Sequence, residues 1–220
     1  MIISEKKSFI FVHNPKAAGT SVRKILTDLH HPEVSLWGFN LFPAVGRVLD
    51  VAHIPLDVLL QVHPEIIGLM SNYFSFGFVR HPIQRFFSSV HQFLNVTTKM
   101  NKEAIIRDKT LFDRYVSEWA CANLDAEAID TDCRLVHFVP QKRFFYLYNV
   151  QCVKAFKVEE MQALPAELQS LGLGNAVHEN PSASNLKING QFDQSGLTKE
   201  AREKILAFYA DDFAAFGYSA

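Results

Sequence analysis

Net charge is nearly absent: the 220-residue chain carries 22 Lys and Arg against 23 Asp and Glu, a formal balance of −1. So even a balance argues against a nucleic-acid partner held by a bulk positive field, and leaves room only for a local basic pocket. Cysteine is scarce too. Cys121, Cys133 and Cys152 form no close pair and no zinc-like spacing, which argues against a disulfide framework or a cysteine metal knuckle. A sparse, odd set fits a reducing compartment. No run approaches the roughly 18 uninterrupted apolar residues of a membrane span. The opening "MIISEKKSFI" puts charges where a secretory segment needs its apolar stretch. These absences together imply a cytoplasmic protein. No repeat, low-complexity tract or linker divides the chain, which predicts one domain over residues 1–220 with a substantial core.

What is present alternates between strands and helices. Ser8 to His13 reads as a short buried strand, and "NYFSFGFV" (72–79) as a second. Between them, Val22, Ile25 and Leu26 share one face of a helix running to about His30, with Thr20 or Ser21 as its cap. Pro32 to Pro43 reads as irregular, and Leu56 to Gln61 as helical. "IQRFFSSVHQFL" after Pro82, 102–119 and 159–170 are further helices; "RFFYLYN" and "CVKAFKV" read as strands. Asn175 to Gly196 is rich in Asn, Ser and Gly and reads as a long surface loop. "LTKEAREKILAFYADDFAAF" closes the chain as an amphipathic helix opened by Thr198 and stopped at Gly217. The alternation predicts an α/β fold: a single P-loop-like domain whose central, mainly parallel sheet is flanked by helices.

Two stretches carry chemistry. In "FIFVHNPKAAGTSVRKIL" (9–26) a strand runs through a turn of small residues into a helix. A helix N-terminus offers main-chain N–H groups and a partial positive charge, which is physically an anion site. Ala17, Ala18 and Gly19 permit close approach of a phosphate, Thr20 and Ser21 add hydroxyls, and Lys16 adds a full charge on a flexible stem. The order is not that of a Walker A loop, which ends in Gly-Lys-Ser/Thr; here the lysine precedes the glycine. In "FSFGFVRHPIQRFFSSV" (74–90) a second strand delivers Arg80 to its C-terminal edge, where open α/β sheets gather ligands. Arginine's planar fork suits a phosphate, and Ser88 follows two helical turns later.

Together "PKAAGTS" and "FVRHPIQRFFSSV" resemble the sulfotransferases, and the "FVR-x-P-x-x-R" wording is closest to their carbohydrate sulfotransferase branch. Weaker echoes extend over most of the chain: "FVPQKRFFY" with "VKAFKVEEM", the late "HENPSAS", and the closing "FYADDFAAFGY". The resemblance implies that the co-substrate is PAPS (3′-phosphoadenosine 5′-phosphosulfate), with no metal. It implies that Lys16, Ala17, Ala18, Gly19, Thr20 and Ser21 hold the 5′-phosphosulfate, with Lys16 facing the leaving phosphate, and that Arg80 and Ser88 hold the 3′-phosphate. The acceptor it implies is a hydroxyl or amine of a carbohydrate or glycolipid. The lack of an apolar anchor departs from the Golgi members of that branch.

A hydroxyl acceptor calls for a general base. His53 in "VLDVAHIPLDVL" is the leading candidate, because this branch often carries a catalytic His or acidic residue between the two phosphate motifs. His13 and His81 adjoin the motifs, and Asp57 and Glu65 are acidic alternatives. Two other readings stay open at this level. One is an ATP- or GTP-dependent P-loop phosphotransferase; the other is a nucleotide-binding module without transfer activity. Trp37, Phe39, Phe42 and Trp119 offer rings for stacking on a sugar or an apolar acceptor, or for the core.

Overall fold

The computed structural model describes residues 1–97, 102–176 and 194–220. The chain opens with β1 (Ile2–Ser4), β2 (Phe9–Val12), α1 (Gly19–His30), β3 (Val34–Ser35), β4 (Phe39–Phe42), β5 (Arg47–Asp50), α2 (Leu56–Val62), α3 (Pro64–Leu69) and β6 (Phe74–Val79). Then come α4 (Pro82–Thr97), α5 (Lys102–Arg107), α6 (Lys109–Asn123) and α7 (Ala126–Thr131). After these follow β7 (Tyr146–Leu147), β8 (Val150–Gln151), β9 (Lys154–Lys157), α8 (Ala166–Ser170), α9 (Leu173–Ala176), α10 (Lys199–Phe208) and α11 (Ala210–Phe216). They form two compact units: residues 1–80 with 141–176, and residues 81–97 and 102–140 with 194–220.

The first unit is built on a five-stranded sheet in the order β3-β1-β2-β6-β9, flanked by helices. Its heart is the expected parallel arrangement, β2 beside β6 and β6 beside β9. The antiparallel edge formed by β1 and β3 was not legible, because strands of two or three residues leave too short an alternation to read. Every residue of β2 is buried, as a strand covered on both faces must be, which is why it reads as an unbroken apolar run. Phenylalanines line one face of the parallel strands. Phe11 packs on Phe76 with ring centroids 5.5 Å apart, and Phe78 on Phe156 at 6.1 Å. Val22 and Leu26 of α1, with Leu168, Leu171 and Leu173, complete that core. Much of the chain's complement of 19 phenylalanines is thus spent on packing rather than chemistry.

In the second unit α4 buries Ile83, Phe86, Phe87, Val90 and Leu94 at helical spacing. Phe86 meets Trp119, Phe138 and Tyr209, and Trp119 stacks on Phe138 with centroids 3.9 Å apart. Trp119 therefore belongs to the core. Arg85 is fully buried and donates to the carbonyls of His137 (3.0 Å) and Val139 (2.6 Å). The second arginine of the "FVR-x-P-x-x-R" wording thus satisfies the backbone of the Cys133–Phe138 turn.

Local chemistry explains where the expected helices break. The 102–119 helix is two helices, because the Asp108 side chain accepts from the Leu111 amide and starts α6 afresh. The closing helix has the expected Thr198 cap and a left-handed Gly217 stop, but is divided at Tyr209. "RFFYLYN" is not one strand: it is the Gln141–Phe144 turn followed by a tight hairpin, with Tyr148 (φ 48°) and Asn149 (φ 66°) left-handed at its tip. The 159–170 stretch divides into the Val158–Ala163 turn and α8. Pro32 to Pro43 contains β3 and β4, the latter paired with β5. Most of the late loop, including "HENPSAS", lies outside the described residues. Among the described residues no helix is long and apolar enough to cross a membrane.

Candidate functional site

Within the first unit, β2 and β6 run parallel with Val12 opposite Gly77, and β9 brings Lys157 opposite Val79. The segments that follow β2 and β6, carrying Lys16 and Arg80, therefore leave from the same edge of the sheet. That is the edge where ligands gather in open α/β sheets.

The turn after β2 has an unusual backbone. Lys16 (φ 61°) and Ala18 (φ 59°) are both left-handed without being glycine, at a cost of roughly 1–2 kcal/mol each. Left-handed residues in a turn gather main-chain N–H groups into an anion-binding concavity. Ala18 occupies the cap position of α1, and no side chain caps that helix. This corrects the assignment of Thr20 or Ser21 as cap: both lie inside the first turn, Thr20 exposed and Ser21 half-buried. The N-terminal turn thus keeps its dipole facing the concavity instead of spending it on a cap.

His13 organises the site from below. It is 3% exposed, stacks on Phe11 and on Trp37, and meets the ring of His53 edge-on with centroids 4.3 Å apart. The carbonyl of His13 accepts a hydrogen bond from His53 Nδ1 at 2.8 Å. A carbonyl has no proton to give, so Nδ1 carries the hydrogen and Nε2 the lone pair. Burial pushes the His53 pKa down to about 4; its bond to His13 opposes this, and the charges of Lys16 and Arg23 add to it. His53 is accordingly neutral at neutral pH.

Lys16 is held down to about 8, first by burial and then by the charge of Arg80. Each of these influences decays with distance, so they identify Lys16, Arg80 and His53 as one electrostatic neighbourhood. An anion brought close to Lys16 would favour its charged form against both of these influences.

Sequence reasoning missed the residues that hold this edge together. Asn14 Nδ2 donates to the Phe78 carbonyl (2.9 Å) and to Gln141 Oε1 (2.9 Å). Gln141 Oε1 also accepts from the Arg80 amide (3.0 Å), and its Nε2 donates to the Arg80 carbonyl (2.8 Å). Both side chains are almost wholly buried. The one available signal was the Pro140-Gln141 pair, which spacing alone could not connect to either motif.

The alternative bases have structural work. Asp57 pairs with Arg143 at 2.6 Å, and Glu65 pairs with His63 at 2.9 Å near the surface. His81 Nε2 donates to the Ser219 carbonyl at 3.1 Å. Ser88 belongs to the second unit and is half-buried on α4, whereas neighbouring Ser89 is fully buried, with its hydroxyl 2.8 Å from the His137 carbonyl. Trp37 and Phe39 are 58% and 63% exposed, so neither is spent on the core. Among the described residues no cluster of His, Cys, Asp or Glu could hold a metal ion.

No curated protein and no solved structure matches the chain. A model described as "Sulfotransferase family" matches residues 1–219. With that match over essentially the whole chain, on a mixed α/β fold with a mostly parallel central sheet, the chain belongs to the sulfotransferase family and is a sulfotransferase enzyme.

Proposed function

We propose that this sulfotransferase takes its sulfonate from PAPS and delivers it to a hydroxyl of a carbohydrate or glycolipid acceptor in the cytoplasm. The observation that carries the reading is the lowering of Lys16, by burial and then by the charge of Arg80, at the edge shared by β2 and β6. Two cations, a left-handed turn and an uncapped helix N-terminus suit a nucleotide bearing separate anionic groups. The three free cysteines are compatible with a reducing compartment.

In this reading Ala17, Ala18, Gly19, Thr20 and Ser21 hold the 5′-phosphosulfate through main-chain amides and hydroxyls. Arg80 takes the 3′-phosphate, and ATP, which has a hydroxyl there, would forgo that charged contact. The bound nucleotide supplies the sulfonate and a phosphate leaving group. The acceptor oxygen forms a bond to sulfur as the sulfur–oxygen bond to the 5′-phosphate breaks, and the electron pair stays on that phosphate. Lys16 stabilises this charge, and the acceptor's proton passes to His53 Nε2. Such transfers depend on alignment and charge stabilisation more than on covalent help. Anionic groups beside Lys16 also offset the positive field that depresses His53, so nucleotide binding raises the proton affinity of the base.

The test is calorimetric titration with adenosine 3′,5′-bisphosphate, ADP and ATP without metal, followed by sulfonate transfer from PAPS to sugar acceptors. Preference for the 3′-phosphorylated nucleotide and transfer to a sugar hydroxyl support the proposal. Equal or magnesium-dependent binding of ATP would sink the PAPS assignment, and transfer only to non-sugar acceptors would sink the acceptor assignment.

A further inference from the structure

Arg80 follows the last residue of β6, and its N–H and C=O need partners beyond the strand. Gln141 supplies them. Its carboxamide meets both the N–H (3.0 Å) and the C=O (2.8 Å) of Arg80, as a neighbouring strand would. Asn14, two residues before Lys16, then commits its amide group to the Phe78 carbonyl and to the same Gln141 oxygen. Gln141 is 0% exposed and Asn14 is 1% exposed, so water does not compete for these bonds. One carboxamide therefore fixes the backbone that launches the Arg80 side chain and is tied to the turn that carries Lys16.

We propose that Gln141 is a positioning residue that sets the aim of Arg80 and, through Asn14, its register with the Lys16 turn. Its function is to make the site select a nucleotide phosphorylated at both ends. The proposal rests on the PAPS reading above. It predicts a loss of selectivity rather than a uniform loss of binding, because Gln141 touches the Arg80 backbone directly and the Lys16 turn only through Asn14.

The experiment compares dissociation constants for adenosine 3′,5′-bisphosphate and adenosine 5′-monophosphate in wild type, Gln141→Ala and Leu168→Ala. Leu168 is a buried core residue of the first unit, so its truncation controls for general destabilisation. Gln141→Ala is expected to erode the preference for the bisphosphate by about tenfold with the monophosphate little changed, since misaiming a charged contact weakens only what that contact holds. Leu168→Ala is expected to keep the wild-type ratio. A Gln141→Ala ratio equal to wild type, or equal weakening of both ligands, overturns the positioning role. A wild type with no preference overturns the PAPS reading and this proposal with it, and is recognised before any variant is made. Gln141→Glu keeps the acceptor but loses the donor to the Arg80 carbonyl, and serves if the alanine variant does not fold. If neither folds, amide exchange of Arg80 in the wild type decides: protection like that of Phe78 supports the role, and exchange at a loop's rate overturns it.

Discussion

The ring of His13 lies so close to Gly19 that a β-carbon at that position would fall 1.9 Å from His13 Cδ2. The ring cannot yield easily, because Phe11, Trp37 and His53 surround it. Gly19→Ala should therefore cost about 1–3 kcal/mol, the range for overpacking, and should shift the first turn of α1. Thermal denaturation and nucleotide titration measure the two effects. Unchanged stability and affinity would mean that the ring moves aside freely.

Lys16 and Arg80 should fail differently when truncated. Lys16→Ala removes charge stabilisation needed as the phosphate leaves, so turnover should fall about a hundredfold with a smaller loss in affinity. Arg80→Ala should weaken the 3′-phosphorylated nucleotide and leave 5′-monophosphate binding nearly intact. Single-turnover kinetics alongside calorimetry separate the two outcomes, and an Arg80 variant that binds the bisphosphate normally would remove that residue from the site.

The pH profile should be broad and displaced. In the free enzyme the proton that blocks His53 Nε2 binds with a pKa of about 4, so the acidic limb of kcat/KM belongs there and not near neutrality. The alkaline limb should appear near 8, where Lys16 loses the proton that anion binding requires. Stability follows the same groups with a definite sign. Both bind fewer protons folded than unfolded, so their contribution improves as pH rises, between about 4 and 6.5 for His53 and between about 8 and 10.5 for Lys16. An acidic limb at 6 or above would show that the base is not this buried histidine.

Replacement of the candidate bases distinguishes chemistry from scaffolding. His53→Ala should lower turnover by a factor of about 100 or more, within the range of general-base contributions. Asp57→Asn should leave turnover near normal and cost no more than about 1 kcal/mol through its half-exposed pair with Arg143. The reverse pattern in acceptor turnover would exchange their roles.

Those elements that package themselves were legible in the sequence. β2, β6, α1 and α4 follow from local apolar periodicity, and their order placed Lys16 and Arg80 at strand ends. The partnership of Asn14 with Gln141 was not, because it spans 127 positions and depends on chain topology. The Gly19 assignment shows a subtler gap. A small residue was expected from the needs of a phosphate, whereas the structure also requires it to admit the imidazole of His13. His53 was named from its place in the sequence, and its tautomer and depressed proton affinity come from burial that no local pattern encodes.

The left-handed Ala18 implies an opposition between robustness and readiness. Glycine there would relax the backbone and stabilise the folded chain by something like the roughly 1–2 kcal/mol now stored in it. The same substitution would widen the range of shapes open to the empty turn, and an arriving anion would have to freeze them out. A chain carrying Ala18→Gly should melt later yet capture its nucleotide less tightly. Alanine at this position keeps the receptor shape in place before the guest arrives.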